Sequence, residues 1–333
     1  MRHALLLPLC LLLLPCGTAS ASEPPTLAVV VGAEGLAEYG KEFRTWAGRW
    51  QEAARQAGAS FVLIGGDDAT EGTNREELQQ FLASQPAEAE APLWLVLIGH
   101  GTHHRDTANF NLRGPDVSSK ELAEWLQGFK RPLVVINCAS SSGPFIRDLA
   151  GPDRIVITAT RSGAEQNYAR FGDYFSQAVS DPAADLDHDE QISLLEAFLS
   201  ASGRTARFYE EEARLATEHA LLEDTGDGLG TSADFYRGVR PVRTAQDDAP
   251  LDGRLAARTV LIPSDIDRDF TAEQLAQRAE IEQEIDRLRG RKADLDEEAY
   301  YNELEELIIR LARLYEDVDG ASNPSEGAAP QVD

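Results

Sequence analysis

Cysteine is nearly absent from this chain: three in 333 residues, of which Cys10 and Cys16 fall in the first 21. Once that leading segment is removed a single thiol remains, Cys138, and one thiol cannot form an intramolecular disulfide. Reactivity or burial must account for it. Basic residues are also scarce, with 31 Lys and Arg against 57 Asp and Glu, a net charge of −26. So acidic a chain is not expected to bind nucleic acid or an anionic membrane. Beyond residue 21 no run approaches the roughly 18 apolar residues of a transmembrane span, so none is expected.

The leading segment 1–21 reads as a secretory signal. Arg2 supplies the positive start, Ala4 through Cys16 an apolar stretch, and Ala19-Ser20-Ala21 an A-x-A cleavage site. The protein is therefore expected to be exported, to a periplasm or to the medium. Removal takes one arginine and no acid, so the charge moves from −26 to −27. A lipid anchor on Cys16 is opposed by Pro15, which stands where a small residue is wanted.

From residue 27 to about 240, short apolar runs alternate with amphipathic stretches, the βαβ rhythm of a parallel sheet. The strands read as 27–31, 60–64, 93–98, 133–137 and 154–158, with helices near 36–57, 74–82 and 118–129. The expectation is an α/β three-layer sandwich with a mostly parallel central sheet over 22–240. A Pro-, Gly- and Asp-rich linker follows over 241–270. Thr271 and Gln274 form a capping box, and apolar residues at 4-3 spacing (Ile281, Ile285, Leu288; Leu304, Leu307, Leu311, Leu314) predict a coiled-coil-like helical hairpin over 271–317. The tail 318–333 is disordered by composition.

Two apolar strands end in chemistry. Leu93 to Ile98 runs into Gly99-His100-Gly101-Thr102, and Leu133 to Asn137 runs into Cys138 and the small polar stretch Ala139-Ser140-Ser141-Ser142-Gly143. In a parallel α/β sheet such carboxyl ends open into the ligand crevice. A Cys138 thiolate beside the His100 imidazole is the arrangement of a nucleophilic site, with the N–H groups of Gly101 and Cys138 as oxyanion donors. The stretch 140–143 would let backbone pass close to a substrate. A serine alternative uses the same histidine: His100-Gly101-Thr102-His103 resembles the subtilisin-type histidine motif, with Gly230-Thr231-Ser232 as serine motif and Asp67 or Asp68 as acid. The acid lacks its Asp-Thr/Ser-Gly turn, the residues after His103 are polar, and Ser232 opens no apolar helix.

These residues resemble the caspase-like (clan CD) cysteine peptidases, most closely the legumain and GPI-anchor transamidase branch. His100-Gly101 and Cys138 carry the likeness, together with the strand and turn from Val29 to Tyr39 and the stretch Ala159 to Glu165. It spans about residues 27–179. The resemblance implies a caspase-like fold and an endopeptidase acting on a peptide or protein substrate without a catalytic cofactor, transpeptidation included. It implies Glu38, Lys41, Ser162, Gly163 and Glu165 as pocket residues, with Glu38 orienting His100. Gly40-Lys41 stands where the branch has Arg-His, so its asparagine preference does not transfer. The alternative of another class is a catalytically inactive scaffold of this fold that docks a partner helix, or itself, through 271–317.

Asp185, Asp187, Asp189, Gln191, Ser193 and Glu196 fit positions 1, 3, 5, 7, 9 and 12 of a calcium loop, although Glu190 replaces the sixth-position glycine. Structural Ca²⁺ is the expectation. A second acidic cluster, 224–228, is read equally as a turn.

Overall fold

The computed structural model describes residues 23–66, 73–245 and 250–322; the signal segment with Cys16, Asp67, Asp68 and residues 323–333 lie outside them. The first half contains β1 (Thr26–Val31), α1 (Ala37–Ala57), β2 (Ser60–Ile64), α2 (Asn74–Ser84) and β3 (Leu93–Ile98). Three short strands follow, β4 (Gly101–His104), β5 (Thr107–Phe110) and β6 (Val117–Ser118), then α3 (Ser119–Leu126) and β7 (Leu133–Asn137). Next come α4 (Pro144–Leu149), β8 (Arg154–Thr158), α5 (Phe171–Ala178), α6 (Leu194–Glu211) and β9 (Leu221–Glu223). The chain closes with α7 (Asp265–Asp269), α8 (Ala272–Gly290) and α9 (Glu297–Ser322).

The strands pair in the order β2-β1-β3-β7-β8-β9, parallel except for β9, which runs antiparallel to β8. Every residue of β3 and β7 is buried, as continuous apolar runs demand in a sheet covered on both faces. One face packs Trp46, Trp50, Phe171, Phe175 and Phe198 of α1, α5 and α6; the other packs Leu78, Leu122 and Phe145 of α2, α3 and α4. The result is the three-layer α/β sandwich read from the sequence. Strand alternation places Val134, Ile136 and Cys138 on the first face and Val135 and Ala139 on the second. Capping boxes open α2, α3, α6 and α8, the last through Thr271 and Gln274.

Residues 101–118 form a small antiparallel sheet, β4-β5-β6, a region read from the sequence only as a polar run after His103. The stretch expected as a linker is packed in part. Ala256 and Leu261 enter the first core, and Val260 bridges Ser193. Reciprocal carboxylate bonds hold it: Asp252 accepts the N–H groups of Asp224 and Thr225, while Asp224 accepts those of Gly253, Leu255 and Ala256. The hairpin α8–α9 has a separate core of Ile281, Ile285, Leu288, Tyr300 and Leu307. Its second helix outruns the expected start of the tail. Val318 is 2 % exposed and packs with Phe270 and Leu314, which carries the helix on to Ser322. No helix of the described residues is long and apolar enough to cross a membrane.

Candidate active site

β3 and β7 are adjacent and parallel, with Leu97 opposite Asn137, so His100 and Cys138 leave the sheet at the same carboxyl edge. The Cys138 side chain points into the first core and is 1 % exposed. The first turn of α5 lies directly over it: a Cβ added to Gly172 would stand 2.6 Å from the Cys138 Cβ and 2.8 Å from the Trp46 ring. Only glycine permits that approach. Burial, together with the nearby Glu218 carboxylate, pushes the thiol up to about 12. Such a setting disfavours the thiolate, which is the reactive form.

The oxyanion donors expected at Gly101 and Cys138 are both occupied. The Cys138 N–H donates to the Leu97 carbonyl at 2.9 Å, as one more rung of the ladder. The Gly101 N–H donates to Ser140 Oγ at 3.2 Å, and that hydroxyl donates back to the Gly101 carbonyl at 3.1 Å. The small polar stretch, expected to admit substrate, zips the crevice shut instead. Ser141, in a left-handed conformation, donates from Oγ to the Gly163 carbonyl and from N to the Glu165 carbonyl. Ser142 and Gly143 bond Thr160. Ser140, Ser141 and Ser142 are each at most 4 % exposed. In the sequence these small residues read only as room for backbone to approach a substrate.

His100 is half-buried among Tyr39, Phe43 and Tyr168, with ring centroids 5.0, 5.3 and 6.1 Å away. Its Nε2 meets the Glu34 carbonyl at 3.2 Å, so Glu34 orients the ring and the exposed Glu38 does not. Desolvation lowers its pKa, which leaves the imidazole neutral at pH 7. Lys41 is exposed on α1. Beside it the Glu34 carboxylate fills the space at Gly40 and pairs with Arg44. Of the other residues expected in the pocket, Gly163 is covered by the His103 ring, whose nearest atom would be 2.3 Å from an added Cβ, and the Ser162 carbonyl accepts from Thr160. The Glu165 carboxylate pairs with Arg161 and, at 2.5 Å, with His219 Nδ1. Neither His219 nor Glu218 carries a motif in the sequence; β9 alone brings them to this edge.

The serine alternative does not assemble. Ser232 follows Thr231, which bridges β9, and its hydroxyl bonds Asp234. The strands β7 and β8 stand between β9 and β3, which at sheet spacing separates that loop from His100 by at least roughly 14 Å.

In the acidic loop, ligand oxygens of Asp185, Asp187 and Asp189 lie within 4.8 Å of one another. Asp185 also accepts the N–H groups of His188, Asp189 and Glu190, and Glu190 takes a φ of 67° where glycine was expected. Burial and the neighbouring carboxylates raise Asp187 to about 6. The remaining positions differ from the expected ligand set. Glu196 spends one oxygen on the N–H groups of Leu186 and Asp187 and the other on Ser193, which caps α6. Gln191 Oε1 accepts the Ser264 N–H. Three of the six expected ligands, Asp185, Asp187 and Asp189, thus come together, while the Glu196 oxygens are engaged by backbone N–H groups and by Ser193.

No protein-family model matches the chain, and no curated protein matches it. Among solved structures it is similar to caspase-1 from Spodoptera frugiperda, at 8 % identity over 62 % of this chain and 88 % of that one, TM-score 0.40. It is similar also to the Drosophila initiator caspase Dronc, at 14 % identity over 62 % and 81 %, TM-score 0.40. Raptor from Chaetomium thermophilum matches at 10 % identity over 48 % and 18 %, TM-score 0.33. These likenesses are slight, and the architecture stands on the strand pairing of this chain itself.

Proposed function

We propose that this is an exported module of caspase-like type whose cysteine–histidine site is closed, and that it works as a non-catalytic binding or scaffold protein. The carrying observation is the geometry of the site: a thiol buried beneath the first turn of α5, with both oxyanion donors spent on Ser140 and Leu97. The hairpin α8–α9, with its separate core, is the part that offers a surface to a partner. A calcium ion held by Asp185, Asp187 and Asp189 would neutralise their mutual repulsion and steady the approach to α6.

One observation favours a second reading, a latent cysteine endopeptidase of legumain-like type. His100 and Cys138 do share one edge on neighbouring strands, and a shift of α5 would bring the thiol toward solvent. A peptide-library digest separates the two. The closed-site reading expects no cleavage above that of Cys138→Ala; cleavage that disappears in Cys138→Ala establishes the peptidase.

A further inference from the structure

Of the ten large apolar side chains exposed among the described residues, three lie within nine residues of α9: Tyr301 and Ile308, each 51 % exposed, and Ile309, 42 %. Positions 301, 305, 308 and 312 follow the 4-3-4 spacing that aligns side chains on one helix face. Ala312 is exposed in the same stripe. The hairpin's own core uses the neighbouring face, where Tyr300, Leu304, Leu307 and Leu311 meet α8. The exposed stripe is thus a second apolar face, left uncovered by the hairpin.

Charge decides what can cover it. Glu305 stands inside the stripe, about one turn from both Tyr301 and Ile308, and Glu298 and Glu316 flank it; all three are exposed. The helix's Arg310 is turned away and bonds Glu284 of α8 at 2.6 Å. Anything that covers Ile308 also takes Glu305 out of water, and a buried carboxylate without a partner is costly. The covering surface must therefore bring a cation. A second copy of α9, packed antiparallel about the 308–309 midpoint, sets Glu305 opposite Ala312 and brings only the exposed Arg313 near it, one cation against Glu298, Glu305 and Glu316, so the acidic excess stays uncompensated.

We propose that this face of α9 docks an amphipathic basic helix. Apolar side chains of the partner would seat on Tyr301, Ile308 and Ile309, and its Lys or Arg residues would meet Glu298, Glu305 and Glu316. This names the partner chemistry of the binding reading above and rests on it. The chain's net charge of −26 draws such a partner in.

The test uses the mature protein and a fluorescein-labelled amphipathic helical peptide of leucine and lysine, about 18 residues long to match the stripe. A leucine–glutamate peptide of the same pattern is the control. Anisotropy should show saturable binding of the lysine peptide only. Binding should weaken about tenfold in Ile308→Ser and in Glu305→Lys, both surface changes, with the thermal melt unmoved. The proposal is overturned by absent saturation, or by binding that neither substitution changes, which is general charge attraction. It is equally overturned if the wild type sediments as a dimer that Ile308→Ser dissociates. Cleavage of a peptide library that depends on Cys138 is a separate readout: it removes the closed-site reading without moving the anisotropy.

Discussion

Glu218 is the residue on which the closed site depends most heavily, and its replacement by alanine has a cost that can be worked out. It is 3 % exposed. Its carboxylate accepts the Arg170 N–H at 2.8 and 2.9 Å, the Phe171 N–H at 2.9 Å and the Tyr209 hydroxyl at 3.0 Å. Those two amides open α5, whose N-cap residue Arg170 provides no side-chain cap of its own, and the same first turn carries Gly172 over Cys138. Alanine orphans both amides, whereas Tyr209 keeps Thr217. At about 1–3 kcal/mol for each orphaned donor the loss is about 2–6 kcal/mol. Burial raises the Glu218 pKa above its ordinary value despite these bonds. A raised folded-state pKa gives a contribution complete below the unfolded value and lost as pH rises through the folded one. The deficit of Glu218→Ala should therefore be larger near pH 5 than near pH 8. Urea unfolding followed by the buried Trp46 and Trp50 measures it. Glu218→Gln, with one acceptor oxygen left, should lose about half as much. A deficit below about 1 kcal/mol at both pH values, or one that grows toward pH 8, refutes the reasoning.

Asp252 is raised to about 7 by burial against Asp224 and Glu223, so its share of stability is present below about pH 4 and fades as pH rises through about 7. Urea midpoints across that window should fall with rising pH in the wild type and flatten in Asp252→Asn; parallel curves contradict the assignment. If Asp185, Asp187 and Asp189 hold calcium, the ion raises stability by about 2.7 kcal/mol at a hundredfold excess over its dissociation constant. Asp187→Asn should abolish that response, and identical melting of the wild type in calcium and in chelator contradicts the site.

Much of the sheet was written plainly in the chain. The runs at 93–98 and 133–137 are apolar throughout because both faces of the strand are covered, and their adjacency put His100 and Cys138 at one edge as read. What misled was direction. One residue along a strand reverses the face, so Cys138 and Ala139 belong to opposite cores, and no local pattern says that the helix over Cys138 begins with Gly172. β9 is three residues long and too short for a period to show. The serines at 140–142 read as permissive because their partners, Gly101 and 160–165, are distant in sequence. The Asp- and Pro-rich stretch after 250 read as a linker for the same reason, since Asp252 and Asp224 cap each other across 28 residues. The Thr271 capping box and the 4-3 ladders are local signals, and there the sequence and the structure agree.

The most direct measurement is the alkylation rate of Cys138 by iodoacetamide in the native mature protein at pH 7, set against the same protein unfolded in urea. With the thiol pushed from its ordinary value of about 9 up to about 12, the thiolate fraction falls by a factor of roughly 1,000. The closed-site account predicts native labelling at least about a thousandfold slower than unfolded labelling, and unchanged by His100→Ala. Native labelling as fast as in urea, lost when His100 is replaced, would contradict it.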